Sequence, residues 1–217
     1  IYMPYYFPFG ETVKRLVQEE RTPKKVFVLG VYASAVHARW TKPGLRRPVC
    51  TALAVASEPR IFWDGNPEEA AEIVNRIKLP EGAGKLTPAG SNLNGPSAKV
   101  LDEHILAPLG FMRKDAWLCD LLPETRLNES QQKVINGEYK KCQEKYGLNK
   151  VTVPNRPMEF CDSERCKEIV TELEESQASL LVLLGDIPIQ QFLNTVASVD
   201  FTTLQEYKDR YGYGNPT

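Results

Sequence analysis

Residues 25–40 read KVFVLGVYASAVHARW, an apolar run that breaks at Gly30 into a short polar loop. Val26, Phe27, Val28 and Leu29 are continuous rather than alternating, the pattern of a strand buried on both faces of a parallel sheet. Open α/β sheets bind their ligands at the carboxyl ends of such strands, so the loop after Gly30 is the first candidate site. No acidic residue occurs from Ala33 to Ser57, whereas Arg39, Lys42, Arg46 and Arg47 all fall there. The whole chain has a net charge of −1, which supplies no global drive toward nucleic acid. The local positive field beside the loop therefore points to an anionic partner.

Working outward, 51–56 (TALAVA), 116–122 (AWLCDLL) and 180–184 (LLVLL) read as three more buried strands. Asn66 followed by Pro67, Glu68 and Glu69 marks a helix start running to about Ile77: an N-cap, a proline at the first helical position, and acids in the first turn. Val100, Leu101, Ile105, Leu106 and Leu109 have helical spacing, closed by Gly110. Residues 130–146 predict an amphipathic charged helix. Asp162 predicts the cap of another that reaches about Ser176, and 187–196 predict a short helix after Gly185. Residues 11–20 predict a lead-in helix, and 79–94, rich in Gly, Pro and Ser, a long loop of the kind that often carries function. The alternation of strand and helix predicts an α/β fold, a three-layer α/β/α sandwich with a central, mostly parallel four-stranded sheet, as a single domain over 1–217.

The 217 residues, 42% apolar and 25% charged, have the composition of an ordinary soluble domain. No apolar run approaches the ~20 residues of a membrane span, and Ile1-Tyr2-Met3-Pro4 lacks the regions of a signal peptide. Five cysteines without a regular framework read as reduced thiols of a cytoplasmic protein. Cys161-x4-Cys166 has no companion pair and no neighbouring His, so no zinc or other metal site is expected. There is neither a P-loop nor a Gly-x-Gly-x-x-Gly segment, so no nucleotide cofactor is expected. The acidic run Glu172, Glu174, Glu175 reads as a solvated helix face. A monomer is the expected state.

Four blocks, in this order, resemble the uracil-DNA glycosylase-like superfamily, most closely bacterial members. VFVLGVYAS (26–34) is similar to that family's first strand and Gly-x-x-Pro loop, and NLNGPSAKVLDEHILAPLGF (92–111) to its Gly-rich turn and following helix. KDAWLCDLLPETR (114–126) resembles the strand that presents a base-reading Asn, and SLLVLLGDIPIQQFL (179–193) a late strand, Gly and helix. Together they cover about half of the chain. The resemblance implies the sandwich fold, DNA or a nucleobase or nucleoside as partner, and hydrolysis of the N-glycosidic bond of a damaged base extruded into a pocket. A catalytically inactive or small-molecule binder on the same fold is the alternative.

Several positions depart from the family. Where an Asp or Asn often activates water, this chain has Tyr32, a donor and a poor base at neutral pH. Ala33 replaces the Pro. Asp120 stands at the base-reading Asn, and its ionised carboxylate would repel a carbonyl unless protonated or facing an amino group. The late His-Pro-Ser or Asn-Pro-Ser motif has no match after Leu184, apart from an echo in Asn215-Pro216-Thr217. Some members of the family hold an iron–sulfur cluster through four Cys that include a close N-terminal pair, and no cysteine precedes Cys50 here, so no cluster is expected. The implied catalytic residues are thus Tyr32 and Asp120.

Tyr32 and Ser34 are implied on the pocket floor, with Gly30 also binding the base or ligand. Asn94, Gly95 and Ser97 are expected either to line it or simply to cap the helix that follows. Phe62 and Trp63, adjacent in RIFWDG, would face opposite sides of a strand, so one is expected in the core while the other stacks on a base. His37, Arg39, Arg46 and Arg47 would hold phosphates, the alternative being an ordinary solvated loop.

Overall fold

A computed structural model describes residues 4–157 and 160–211 of the chain. In chain order its elements are β1 (Val26–Tyr32), β2 (Ala35–Thr41), β3 (Cys50–Ser57), α1 (Pro67–Arg76), β4 (Lys85–Pro88), α2 (Pro96–Val100), β5 (Ala116–Leu122), α3 (Glu129–Val134), α4 (Lys140–Tyr146), α5 (Ser163–Ser176), β6 (Leu180–Leu183), α6 (Asp186–Gln191) and α7 (Leu204–Tyr211). One-turn π-helical stretches extend α2, α6 and the α3–α4 helix. The protein is mixed α/β, and its strands form two three-stranded sheets, ordered β5-β1-β6 and β3-β2-β4. The four-stranded central sheet predicted from the sequence is therefore replaced by a smaller parallel sheet and a separate antiparallel one. Residues 51–56, expected in the same sheet as β1, belong to β3 and pair antiparallel with β2.

The chain divides into two compact units. One comprises Ile1–Leu16, Ala33–Pro108 and Glu124–Arg156, the other Val17–Tyr32, Leu109–Pro123 and Pro157–Thr217.

The second unit is built on the parallel sheet. Val26 to Leu29 are fully buried, each large side chain contributing about 1.5–3 kcal/mol. They pair with Ala116–Cys119 on one side and Leu180–Leu183 on the other. Phe27 and Leu29 pack with Trp117, Cys119, Leu121 and Ile169 of α5. Side chains alternate along a strand, so Asp120 lies on the opposite face of β5 from that cluster. Asp162 caps α5 by accepting from the Arg165 amide at 2.8 Å. The buried stripe of α5 is Arg165, Ile169, Glu172 and Ser176, spaced as one helix face. Glu172 is only 4% exposed, so the sequence reading of it as solvated is corrected.

The first unit holds the antiparallel sheet. Val36, Ala38 and Trp40 of β2 enter its core with Leu53, Val55, Trp63 and the α1 residues Ile73 and Val74. Two irregularities in the β2–β3 pairing each give β3 one extra residue, which increases local twist. Asn66 caps α1, its Oδ1 accepting from the amides of Glu68 and Glu69 at 2.9 and 3.0 Å, a contribution of about 1 kcal/mol. Residues 11–20 are not helical. Instead Thr12 bridges to Tyr6 and the Val13 amide donates to the Tyr5 carbonyl. The predicted loop at 79–94 contains β4, an edge strand against β2. Among the described residues no helix is long and apolar enough to cross a membrane.

Candidate functional site

Of the residues expected in the site, Gly30, Tyr32 and Asp120 lie in the unit with the parallel sheet. Gly30 and Asp120 are register partners near the carboxyl ends of β1 and β5, and Tyr32 pairs with Leu122 two positions on. Strand order β5-β1-β6 places the later strands on opposite sides of β1, which makes the carboxyl end of β1 a topological switch point, the usual ligand position in open α/β sheets. Gly30 contributes no side chain next to Asp120.

Asp120 is 4% exposed, and no hydrogen bond reaches its carboxyl among the described residues. Burial lifts this carboxyl from its ordinary 3.8 to about 7, the nearby Arg165 charge opposing the rise and Glu172 adding to it. Both the acid and the carboxylate are then populated at neutral pH, so one side chain can donate to a carbonyl or accept from an amino group. A buried carboxyl titrating near neutrality marks a functional-site candidate.

The sequence reading missed what braces Asp120 from behind. Arg165 Nη2 donates to the Asp120 carbonyl at 2.7 Å and to Cys119 Sγ at 3.2 Å. Its Nε donates to the Leu121 carbonyl at 3.2 Å, and Nη1 to Glu168 and Glu172 at 2.8 and 3.1 Å. Trp117 Nε1 donates to the other oxygen of Glu172 at 3.0 Å. Burial, reinforced by the Glu172 charge, holds the Cys119 thiol well above its usual range. The available signal was an arginine and a glutamate in the apolar stripe of α5, seven residues apart.

The other expected residues lie in the unit with the antiparallel sheet. His37 and Arg39, read as a polar loop, stand on β2 instead, because apolar and polar residues alternate there and Val36, Ala38 and Trp40 take the core face. Arg39 is therefore on the outer face, opposite Thr87, with Lys85 opposite Thr41. Arg46 and Arg47 are exposed in the β2–β3 connection. Arg39, Arg46 and Arg47 form no ion pair among the described residues, whereas Lys42 is paired with Glu138. Ser34 precedes β2, its carbonyl accepting from Thr125 Oγ1 at 2.9 Å.

Asn94 does not cap α2, so the capping expectation is corrected. The N-cap position is Gly95, with no side-chain cap bond. The Asn94 side chain, 2% exposed, accepts from the His37 amide at 2.8 Å and donates to the His37 carbonyl at 3.1 Å. His37 is half-buried, burial holds its imidazole below its ordinary pKa, and its Nδ1 is shielded without a partner among the described residues. Gly95 sits at φ +74, and a Cβ there would meet the Asp64 carbonyl carbon at 2.2 Å. The turns at 64–66 and 94–96 thus touch backbone to backbone. Ser97 is exposed on α2.

Trp63 is in the core, its Nε1 donating to Glu69 at 2.6 Å. Phe62 is half-buried in a turn at φ +49 rather than on a strand. Asn215-Pro216-Thr217 lies outside the described residues. No cluster of three or more His, Cys, Asp or Glu that could hold a metal occurs among the described residues. Compared with known proteins, the chain matches no family model, no curated protein and no solved structure.

Proposed function

We propose that this chain is a nucleobase-binding protein of uracil-DNA glycosylase-like type that reads the base with Asp120 and hydrolyses its bond to the sugar. The supporting observation is the buried Asp120 carboxyl, without a hydrogen bond among the described residues and in register with Gly30 at a sheet switch point. A carboxyl held near neutrality resolves the conflict posed by a carboxylate in the place of a base-reading amide. In its protonated form it donates to a base carbonyl as a carboxamide would, and in its ionised form it accepts from an exocyclic amine. Separately, Arg39, Arg46 and Arg47 of the unit with the antiparallel sheet form no ion pair among the described residues, which suits phosphate contacts.

The reading is tested by incubating the chain with single- and double-stranded oligonucleotides containing uracil, hypoxanthine or xanthine and scoring alkali-labile abasic sites. The expected result is product from at least one base, with activity lost in Asp120→Leu. Absence of both product and base-dependent thermal stabilisation removes the proposal. A second reading, binding without hydrolysis, is favoured by Tyr32, whose phenol is a poor base for activating water. It expects stabilisation by a free base or nucleoside with no abasic product.

A further inference from the structure

Outside the Asp120 region the strongest unexplained feature is the pair Cys161 and Cys166. Cys161 stands just before the Asp162 cap of α5 and Cys166 lies four residues into the helix, and the two sulfurs are 2.7 Å apart. Both are partly exposed, whereas Cys50, Cys119 and Cys142 are buried. The two flanking positions are those that an apolar staple occupies in many helices. Here the staple is made of two thiols, which chemistry can lock. A disulfide needs its sulfurs about 2.03–2.05 Å apart, so closure asks for less than an ångström of movement.

We propose that Cys161 and Cys166 are a reversible redox pair, oxidised by a peroxide to an intrachain disulfide that locks the first turn of α5. The reaction balances with the peroxide as oxidant. One thiolate attacks a peroxide oxygen, breaking the O–O bond and releasing water after protonation, and leaves a sulfenic acid. The second thiol then attacks that sulfur and expels the hydroxyl as a second water. Burial and the adjacent Cys166 sulfur hold the Cys161 thiol up at about 12. The initial attack therefore falls to Cys166. The locked turn contains Arg165, which lies between the two cysteines in sequence and donates to the Asp120 carbonyl. This inference is independent of what Asp120 binds.

The test treats the full chain with one equivalent of hydrogen peroxide, alkylates the remaining thiols and maps them by mass spectrometry. The alkylated thiols are expected to fall from five to three, with a Cys161–Cys166 linked peptide, and to return with dithiothreitol. Amide exchange over 163–166 is expected to slow in the oxidised form. In Cys161→Ser, Cys166 is expected to remain as a sulfenic acid trapped by dimedone, a readout that needs no ligand. A count that stays at five, a linkage to another cysteine, or loss of both thiols only as irreversible sulfonic acids overturns the proposal.

Discussion

Arg165 donates to the backbone carbonyl of Asp120 at 2.7 Å, and no ion pair joins the two side chains among the described residues. The guanidinium secures the end of β5 through main-chain oxygens and spends its charge on Glu168 and Glu172. The Asp120 carboxyl, on the other face of the strand, is left without a bonded cation among the described residues. That division of contacts explains how an arginine so near leaves a carboxyl at about 7.

Stability is expected to depend on pH through Asp120. Its folded pKa of about 7 lies above the ordinary 3.8, so the folded state binds the proton more tightly than the unfolded chain. The stabilisation is fully present below about pH 3.8 and is lost as pH rises through about 7. The full span is about 4 kcal/mol. Asp120→Asn is expected to flatten this part of the profile and to be the more stable protein at pH 8, measured by urea unfolding at pH 5 and pH 8.

Removing the brace is expected to be costly. Arg165→Met leaves Glu172 buried without its cation and the Asp120 and Leu121 carbonyls without their donor. The loss is about 3–5 kcal/mol, the usual range when one partner of a buried pair is removed. The double variant Arg165→Met with Glu172→Leu is expected to recover part of it, measured as a shift in the urea midpoint.

The turn at Gly95 gives a test of backbone contact against backbone strain. Gly44 and Gly95 have nearly equal φ, +75 and +74, but a Cβ at Gly44 meets nothing within 4 Å. Gly44→Ala is expected to cost about 1–2 kcal/mol from conformation alone. Gly95→Ala should cost clearly more because the Asp64 backbone must move. Thermal unfolding of the two variants side by side reads the difference.

Asn94→Ala removes both bonds to the His37 backbone and leaves a shielded amide unpaired, an expected loss of about 2–4 kcal/mol. Asn94→Asp keeps the acceptor for the His37 amide but faces the His37 carbonyl with a carboxylate. It is therefore expected to be destabilised as well, more so at pH 8 than at pH 4. Circular dichroism melts at the two pH values check this.

Oligonucleotide affinity, where it is found, should fall steeply with salt. Replacing Arg39, Arg46 and Arg47 with alanine is expected to lower the slope of log K against log salt by about 2, at roughly 0.7 per single-strand phosphate contact. An unchanged slope would show that other cations carry the contact.

Much of the element pattern was legible in local sequence. β1 and β5 were found from unbroken apolar runs, and α1 and α5 from the Asn66 and Asp162 caps, because each signal acts over a few residues of chain. β2 carried a readable signal too, in the alternation of Val36, Ala38 and Trp40 with His37, Arg39 and Thr41, but the polar members drew the reading toward a loop. The lead-in helix failed because the backbone at 12–14 is bonded elsewhere instead, Thr12 bridging Tyr6, the Val13 amide donating to the Tyr5 carbonyl and the Lys14 amide to Ser57 Oγ.

The chain by itself determined that β1 and β5 are buried strands, where α1 and α5 start, and that Gly30 and Asp120 lie near the carboxyl ends of those two strands, whereas β6, also read as buried, is exposed at Leu180 and half-buried beyond it. Tertiary structure alone decided which strands share a sheet, that Arg165 and Glu172 turn inward, and that Asp120 titrates near neutrality. The physical reason is range. Capping and periodicity are settled between residues close in sequence, whereas strand pairing and desolvation depend on groups such as Trp117 and Glu172, 55 residues apart along the chain, that meet only when the fold closes.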